Sequence, residues 1–129
     1  MRSDQRPRQT LPRSARIKSR ADFDRVFRDR RRAADAVLTV YLAPGAEKHA
    51  RLGISVSRRL GKAVLRNRVK RLVRESFRRL RPELPPGTDW VVVPRVGRTT
   101  LAQVDASLRG LIRRLLREGG RAVRPDSAR

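Results

Sequence analysis

The sequence predicts an α+β fold, an α-β-β-α-β-α sandwich in which helices pack on a small central sheet. Three observations carry this. Apolar residues recur at helical spacing in segments that begin near Arg20, Ala63 and Leu101. Between them lie three short runs rich in β-branched and aromatic residues, each bounded by proline, glycine or serine. The length of 129 residues and a hydrophobic content of 38% fit one domain with one modest core.

Residues 1–17 are polar, basic and proline-bearing, and read as a flexible arm. Ser19 is placed to cap a first helix, with Asp22 three residues on, and the helix should run to about Arg31. Phe23, Val26 and Phe27 share one of its faces. "AVLTVYLAPG" is a strand closed by Pro44-Gly45, and "RLGISVS", Arg51 to Ser57, is a second. The two are expected to pair as an antiparallel hairpin across a long loop. A second helix follows from Ala63 to Leu80, stopped by Pro82, and "TDWVVVPR" is the third strand. Thr99 or Thr100 caps a last helix from Leu101 to Glu118, where Gly119-Gly120 should end it. Its apolar face is Leu101, Val104, Leu108, Leu111, Ile112 and Leu115. The single domain therefore spans residues 18–118, and residues 119–129 read as a disordered basic tail. No internal repeat is visible.

The charge is the strongest constraint on function. There are 34 Lys and Arg against 12 Asp and Glu, a formal net charge of +22. Such an excess repels itself in the compact state, and a polyanionic partner is the simplest reason to keep it. Nucleic acid leads, and an anionic membrane surface is second. No run approaches the roughly 20 apolar residues of a membrane span. The N-terminus lacks the apolar stretch of a secretory signal, and its prolines interrupt the helix of a transit peptide. Without cysteine there is neither disulfide nor thiolate site, so a cytoplasmic location is expected.

The charge is concentrated in "GKAVLRNRVKRLVRESFRRL", Gly61 to Leu80. On a wheel of about 100° per residue, Leu65, Val69, Leu72, Val73, Phe77 and Leu80 form a core face. Asn67, Lys70, Arg71, Arg74 and Arg78 gather opposite, with Arg66 and Arg68 on the shoulders. Glu75 is the only acid in the helix. Most charged helix faces are simply solvated. Here the strip is nearly single-signed, and like charges at i,i+4 repel by a few tenths of a kcal/mol each. That cost favours a polyanion ligand. Arginine outnumbers lysine, which suits bidentate phosphate recognition and stacking on bases. Asn67 adds a neutral donor and acceptor for a base edge or sugar hydroxyl. Arg58, Arg59 and Lys62 lie at the strand-to-helix junction, where cations oppose the helix dipole unless an anion docks.

The residues offer no catalytic or metal-binding constellation. Asp22 and Asp24 point to different helix faces, Asp89 and Asp105 are isolated, and His49 is the sole histidine, in a loop without a visible partner. The polypeptide is expected to carry no active site of its own.

Together these segments resemble a known family. "RLGISVSRRLGKAVLRNRVKRLVRESFR", Arg51 to Arg78, is similar to the signature of the bacterial ribonuclease P protein subunit, above all in "AVxRNRxKRxxRExF" after the "GISVSRR" strand end. "LPRSARIKSRADFDRVF" resembles that family's start, and the likeness spans roughly Leu11 to Glu118. It implies a ribonucleoprotein endonuclease that removes the 5′ leader of precursor tRNA. It further implies that the catalyst is the RNA subunit acting with Mg2+, and that no cofactor is bound tightly by the protein. The implied partners are that catalytic RNA, in a 1:1 complex with monomeric protein, and precursor tRNA. The implied fold is an α-β sandwich with a left-handed strand–helix–strand crossover. By the resemblance, Arg66, Asn67, Arg68, Lys70, Arg71 and Arg74 face the catalytic RNA, and Arg58 and Arg59 match a basic pair. Phe23 and Phe27 border a cleft for the leader; both are also natural core residues. A strand aromatic of some members falls at Val40 here, with Tyr41 beside it on the opposite side of the strand. A basic ribosomal or RNA-chaperone protein without a processing role is the alternative. A protein-only nuclease and a DNA-binding protein fit the residues less well.

Overall fold

The computed structural model describes residues 11–122, with side chains to residue 118. Helix α1 is Arg20–Arg28, α2 is Ala63–Leu80 and α3 is Leu101–Ala122. Strands β1 (Arg32–Ala34), β2 (Leu38–Pro44), β3 (Arg51–Ile54) and β4 (Thr88–Pro94) form one sheet in the order β1-β2-β4-β3. Helices α2 and α3 pack together on one face through Phe77, Leu80, Leu108 and Leu115, against Leu38, Val40, Leu42, Trp90 and Val92. Helix α1 covers part of the other face through Val26, against Ala43 and Val91. The α+β sandwich is therefore the one the sequence predicts, with the core split between the two faces.

Several local signals act as expected. The Ser19 side chain accepts from the Asp22 N–H at 3.1 Å and opens α1. Thr100 is the cap of α3: Gln103 N–H donates to its Oγ1 and Gln103 Oε1 accepts from the Thr100 N–H. Gly61 has φ +133°, a conformation that a side chain would strain, and it turns the chain into α2.

Five expectations are corrected. The first two long strands do not form a hairpin. β4 lies between them, antiparallel to β2 and parallel to β3, so β3–α2–β4 is a crossover. The short edge strand β1 pairs with β2 and was not foreseen. Helix α1 ends at Arg28, three residues early, because the chain reverses at Arg30 with φ +76°. Helix α3 runs through Gly119-Gly120 to Ala122, since a glycine pair weakens a helix without having to end it. The arm also divides. Leu11, Ala15 and Ile17 are buried, and Ile17 N–H donates to the Leu52 carbonyl at 2.8 Å, so residues 11–17 pack on the domain. Residues 1–10 and 123–129 lie outside the described residues.

Carboxylates pin the layers together. Asp35 accepts from the N–H groups of Val37 and Leu38, at 2.8 and 2.9 Å, and from Ser107 Oγ of α3 at 2.7 Å. Burial pushes its pKa up, but these donors and the Arg95 charge outweigh burial and hold it below the ordinary 3.8. Asp105 is lowered in the same way: burial opposes, and Arg109 and Ser76 prevail. A carboxylate whose folded pKa is depressed contributes stability that is complete above its unfolded pKa, about 3.9. That stability is lost as pH falls through the folded value. The urea midpoint is therefore expected to hold from neutral pH to about pH 5 and then drop steeply. Asp35→Asn should flatten the acid slope, and urea titrations at a series of pH values will show it; equal slopes would remove Asp35 from this role.

Candidate nucleic-acid interface

The second helix presents its two faces much as its periodicity requires. Val69, Val73, Phe77 and Leu80 are buried, joined by Ser76, whose hydroxyl donates to Asp105 at 2.7 Å. Leu65 and Leu72 are only half-buried. Asn67 and Arg71 are exposed on the opposite face, with Lys70 and Arg74 half-exposed beside them. No ion pair reaches Lys70, Arg71 or Arg74 among the described residues. The Arg74 guanidinium is held below its ordinary pKa, first by burial and then by the charges of Arg16 and Arg71. The fold therefore keeps repelling cations together with no acid between them.

Other members of the predicted strip are partly committed inside the protein. Arg66 Nε donates to the Gly61 carbonyl at 3.1 Å, and Arg68 Nη1 donates to the Thr99 carbonyl at 2.8 Å. These bonds fix the shoulders of the helix and leave each guanidinium further donors. Glu75 meets Arg78 at 2.8 Å and Arg79 at 3.0 Å, so the acid offsets part of the charge at the end of the helix and spares its middle. Arg58, Arg59 and Lys62 are all exposed. They surround the start of α2, where Lys62 supplies no side-chain cap, so the first-turn N–H groups stay open.

Sequence reasoning missed two members of this surface. Val64 is 78% exposed, the one large hydrophobic so exposed among the described residues. It stands three residues before Asn67 and seven before Arg71, on their face. An apolar residue on the polar side of the wheel was the available signal. Arg16 leaves no such signal, because only the fold brings it beside Arg74; its own Nε and Nη2 donate to the Leu11 carbonyl at 3.0 and 2.8 Å.

On the far side of the sheet, Phe23, Phe27 and Tyr41 come together. The Phe27 and Tyr41 rings meet edge-to-face with centroids 4.8 Å apart, and Phe23 lies 6.3 Å from Phe27. All three are half-buried, packing on Ala43 and Val91 while keeping one side open. The phenylalanines are thus partly core and partly open. Val40 points into the main core, so Tyr41 is the strand residue on this face. Gly53 makes the arrangement possible, since a Cβ there would sit 2.8 Å from the Phe23 ring. Phe23 and Phe27 line an open cleft of about 420 Å³ with Lys18, Arg20, Asp24, Ile54 and Ser55.

Two further acids, Asp89 and Asp22, are occupied. Asp89 is fully buried and takes a two-pronged contact from Arg51, 2.9 and 2.7 Å, and another from Arg25. Arg25 also bonds Asp22 at 3.2 Å, and this contact leads in lowering the Asp22 pKa. His49 has a partner after all, donating from Nε2 to the Ser14 carbonyl at 2.8 Å. No helix of the described residues is long and apolar enough to cross a membrane.

Known proteins share both sequence and fold. A protein from Exiguobacterium named ribonuclease P protein component is 41% identical over 92 residues, covering 71% of this chain and 80% of its own. One of the same name from Methylococcus capsulatus is 48% identical over 93 residues, covering 70% and 71%. The solved RNase P protein of Staphylococcus aureus superposes with a TM-score of 0.71 at 36% identity, over 77% of this chain and 93% of that one. The RNase P protein of Thermotoga maritima gives 0.69 at 35% identity, over 77% and 96%. Residues 11–116, which include the arginine strip and the aromatic cleft, match the family model described as Ribonuclease P. By sequence over most of both chains and by fold, the chain belongs to the ribonuclease P protein family.

Proposed function

We propose that this chain, as the protein component of ribonuclease P, holds the catalytic RNA on α2 and the 5′ leader of precursor tRNA in the aromatic cleft. Family membership supports a role in tRNA processing within a ribonucleoprotein endonuclease. The assignment of surfaces rests chiefly on one observation: Lys70, Arg71 and Arg74 are kept together without an acid between them, at a cost that RNA phosphates would relieve. Arg58, Arg59 and Lys62 extend that surface to the start of the helix. Phe23, Phe27 and Tyr41 offer ring faces and edges to unpaired leader bases, and Lys18 and Arg20 meet the leader's phosphates.

The protein's part is binding and positioning. The chemistry, leader hydrolysis supported by magnesium, is assigned to the RNA subunit. The protein's own carboxylates suit this division, because Asp22, Asp35, Glu75, Asp89 and Asp105 are each engaged by arginine, hydroxyl or backbone donors and do not converge as ligands. One protein molecule serves each RNA.

Reconstitution tests this. The chain is mixed with ribonuclease P RNA at moderate magnesium, and 5′ leader removal is followed. Cleavage should be stimulated, and leader-bearing precursor should bind more tightly than mature tRNA. RNA binding without stimulation would instead describe an RNA chaperone, and cleavage by the chain alone would place the catalyst in the protein.

A further inference from the structure

The basic face of α2 does not stop at Arg74. Arg78 and Arg81 continue it at spacings of four and three residues, so Asn67, Arg71, Arg74, Arg78 and Arg81 form one stripe. Over 14 residues this spans about 21 Å. At its far end the loop between β2 and β3 brings in Lys48 and His49. These side chains, with Arg78 and Arg81, line an open pocket of about 340 Å³ that contains no carboxylate in its lining.

We propose that this pocket is a second RNA contact, taking one backbone phosphate of the RNA that lies along α2. The inference rests on the reading of α2 as an RNA-binding helix and lengthens that surface by a turn and a loop. One detail favours an anion here. Arg78 is only half satisfied: it donates to Glu75 at 2.8 Å, while its Nε is buried with no hydrogen-bond partner among the described residues. An unpartnered buried donor is costly, about 1–3 kcal/mol. Rotation of the guanidinium toward a phosphate would satisfy it in a two-pronged contact. His49 is oriented as well. The Ser14 carbonyl can only accept, so Nε2–H donates to it; Nδ1 of that tautomer accepts and does not donate, so His49 reports on the pocket and Lys48, Arg78 and Arg81 supply the donors. The nearest acids by sequence, Glu47, Glu75 and Glu83, lie outside the lining.

A single histidine makes the test clean. Inorganic phosphate, titrated at constant ionic strength and pH, should shift the His49 ring resonances saturably in the wild-type chain and leave them unmoved in K48A/R81A. With ribonuclease P RNA, the same double variant should flatten the slope of log affinity against log salt by about 0.7–0.9, the share of one phosphate. R113A/R117A, which removes the same charge from exposed positions on α3, should keep the wild-type slope. An unchanged slope in K48A/R81A overturns the RNA contact; if phosphate still moves His49, the pocket is a free-anion site. A flat slope in the wild type would instead overturn the RNA reading of α2, a separate failure.

Discussion

Asp89→Ala is expected to destabilise the fold by about 3–5 kcal/mol, the largest stability loss of any single substitution proposed for this chain. Domains of this size are stable by about 5–15 kcal/mol in total, so the variant should sit close to unfolding at 37 °C. The reason is what it leaves behind. Arg51 is largely buried and directs two donors at Asp89, and Arg25 directs another, so removal strands the Arg51 guanidinium and takes a partner from Arg25, which is 37% exposed and keeps its bonds to Asp22 and the Pro44 carbonyl. The Asp89 hydrogen bond is the leading cause that raises both arginine pKa values, and that support goes with the carboxylate; arginine stays protonated in proteins, so neither can release its proton to escape. Urea denaturation measures the loss, and a change below about 1 kcal/mol would show the pairs to be dispensable. A companion variant separates charge from packing. Replacing Asp89, Arg25 and Arg51 together by leucine and two methionines removes the charges as a set, and it should recover most of the stability.

The same cluster fixes α1 on the sheet. Arg25 reaches from α1 to Asp89 on β4 and to the Pro44 carbonyl at 2.6 Å, so it sets how α1, with Phe23 and Phe27, lies over the sheet. Gly45 lies directly against the Asp89 carboxylate, where a Cβ would approach Oδ1 to 2.5 Å. None of this is visible in the sequence, because Arg25 and Asp89 are 64 residues apart and Arg51 and Asp89 are 38. Local periodicity cannot report a pairing that only the fold creates.

What was legible follows the same rule. The faces of α2 and α3 are repeated signals within one element, and the buried residues fall where the wheel places them. Pairing among strands is not local, and the hairpin expected between β2 and β3 failed for that reason. A signal existed nonetheless. Trp90, Val91 and Val92 are consecutive and all fully buried, as in a strand covered on both faces, which argues for a central position for β4. Strand β1 left almost no trace, since Arg32-Ala33-Ala34 contributes one small inward side chain. In the candidate interface, the exposure of Asn67 and Arg71 could be read from spacing. The inward bonds of Arg66 and Arg68 could not, because their acceptors are carbonyls whose position depends on neighbouring loops.

Removing the centre of the strip should separate stability from function in opposite directions. In K70A/R71A/R74A the isolated protein is expected to melt no lower than the parent. Arg74 is charged at a site where burial and the nearby Arg16 and Arg71 disfavour that charge, so its loss relieves a penalty of the folded state. Affinity for ribonuclease P RNA should fall together with its salt dependence. The loss of three phosphate contacts flattens the log–log slope by about 2–3 and weakens binding most at low salt. Thermal melts and a salt titration of binding test both halves. A variant that binds as well as the parent would remove the strip from the interface. One that unfolds would show these cations to be structural, contrary to the absence of any acid facing them among the described residues. A helix that is more stable without its arginines, and binds less without them, has been shaped for the RNA and tolerated by the fold.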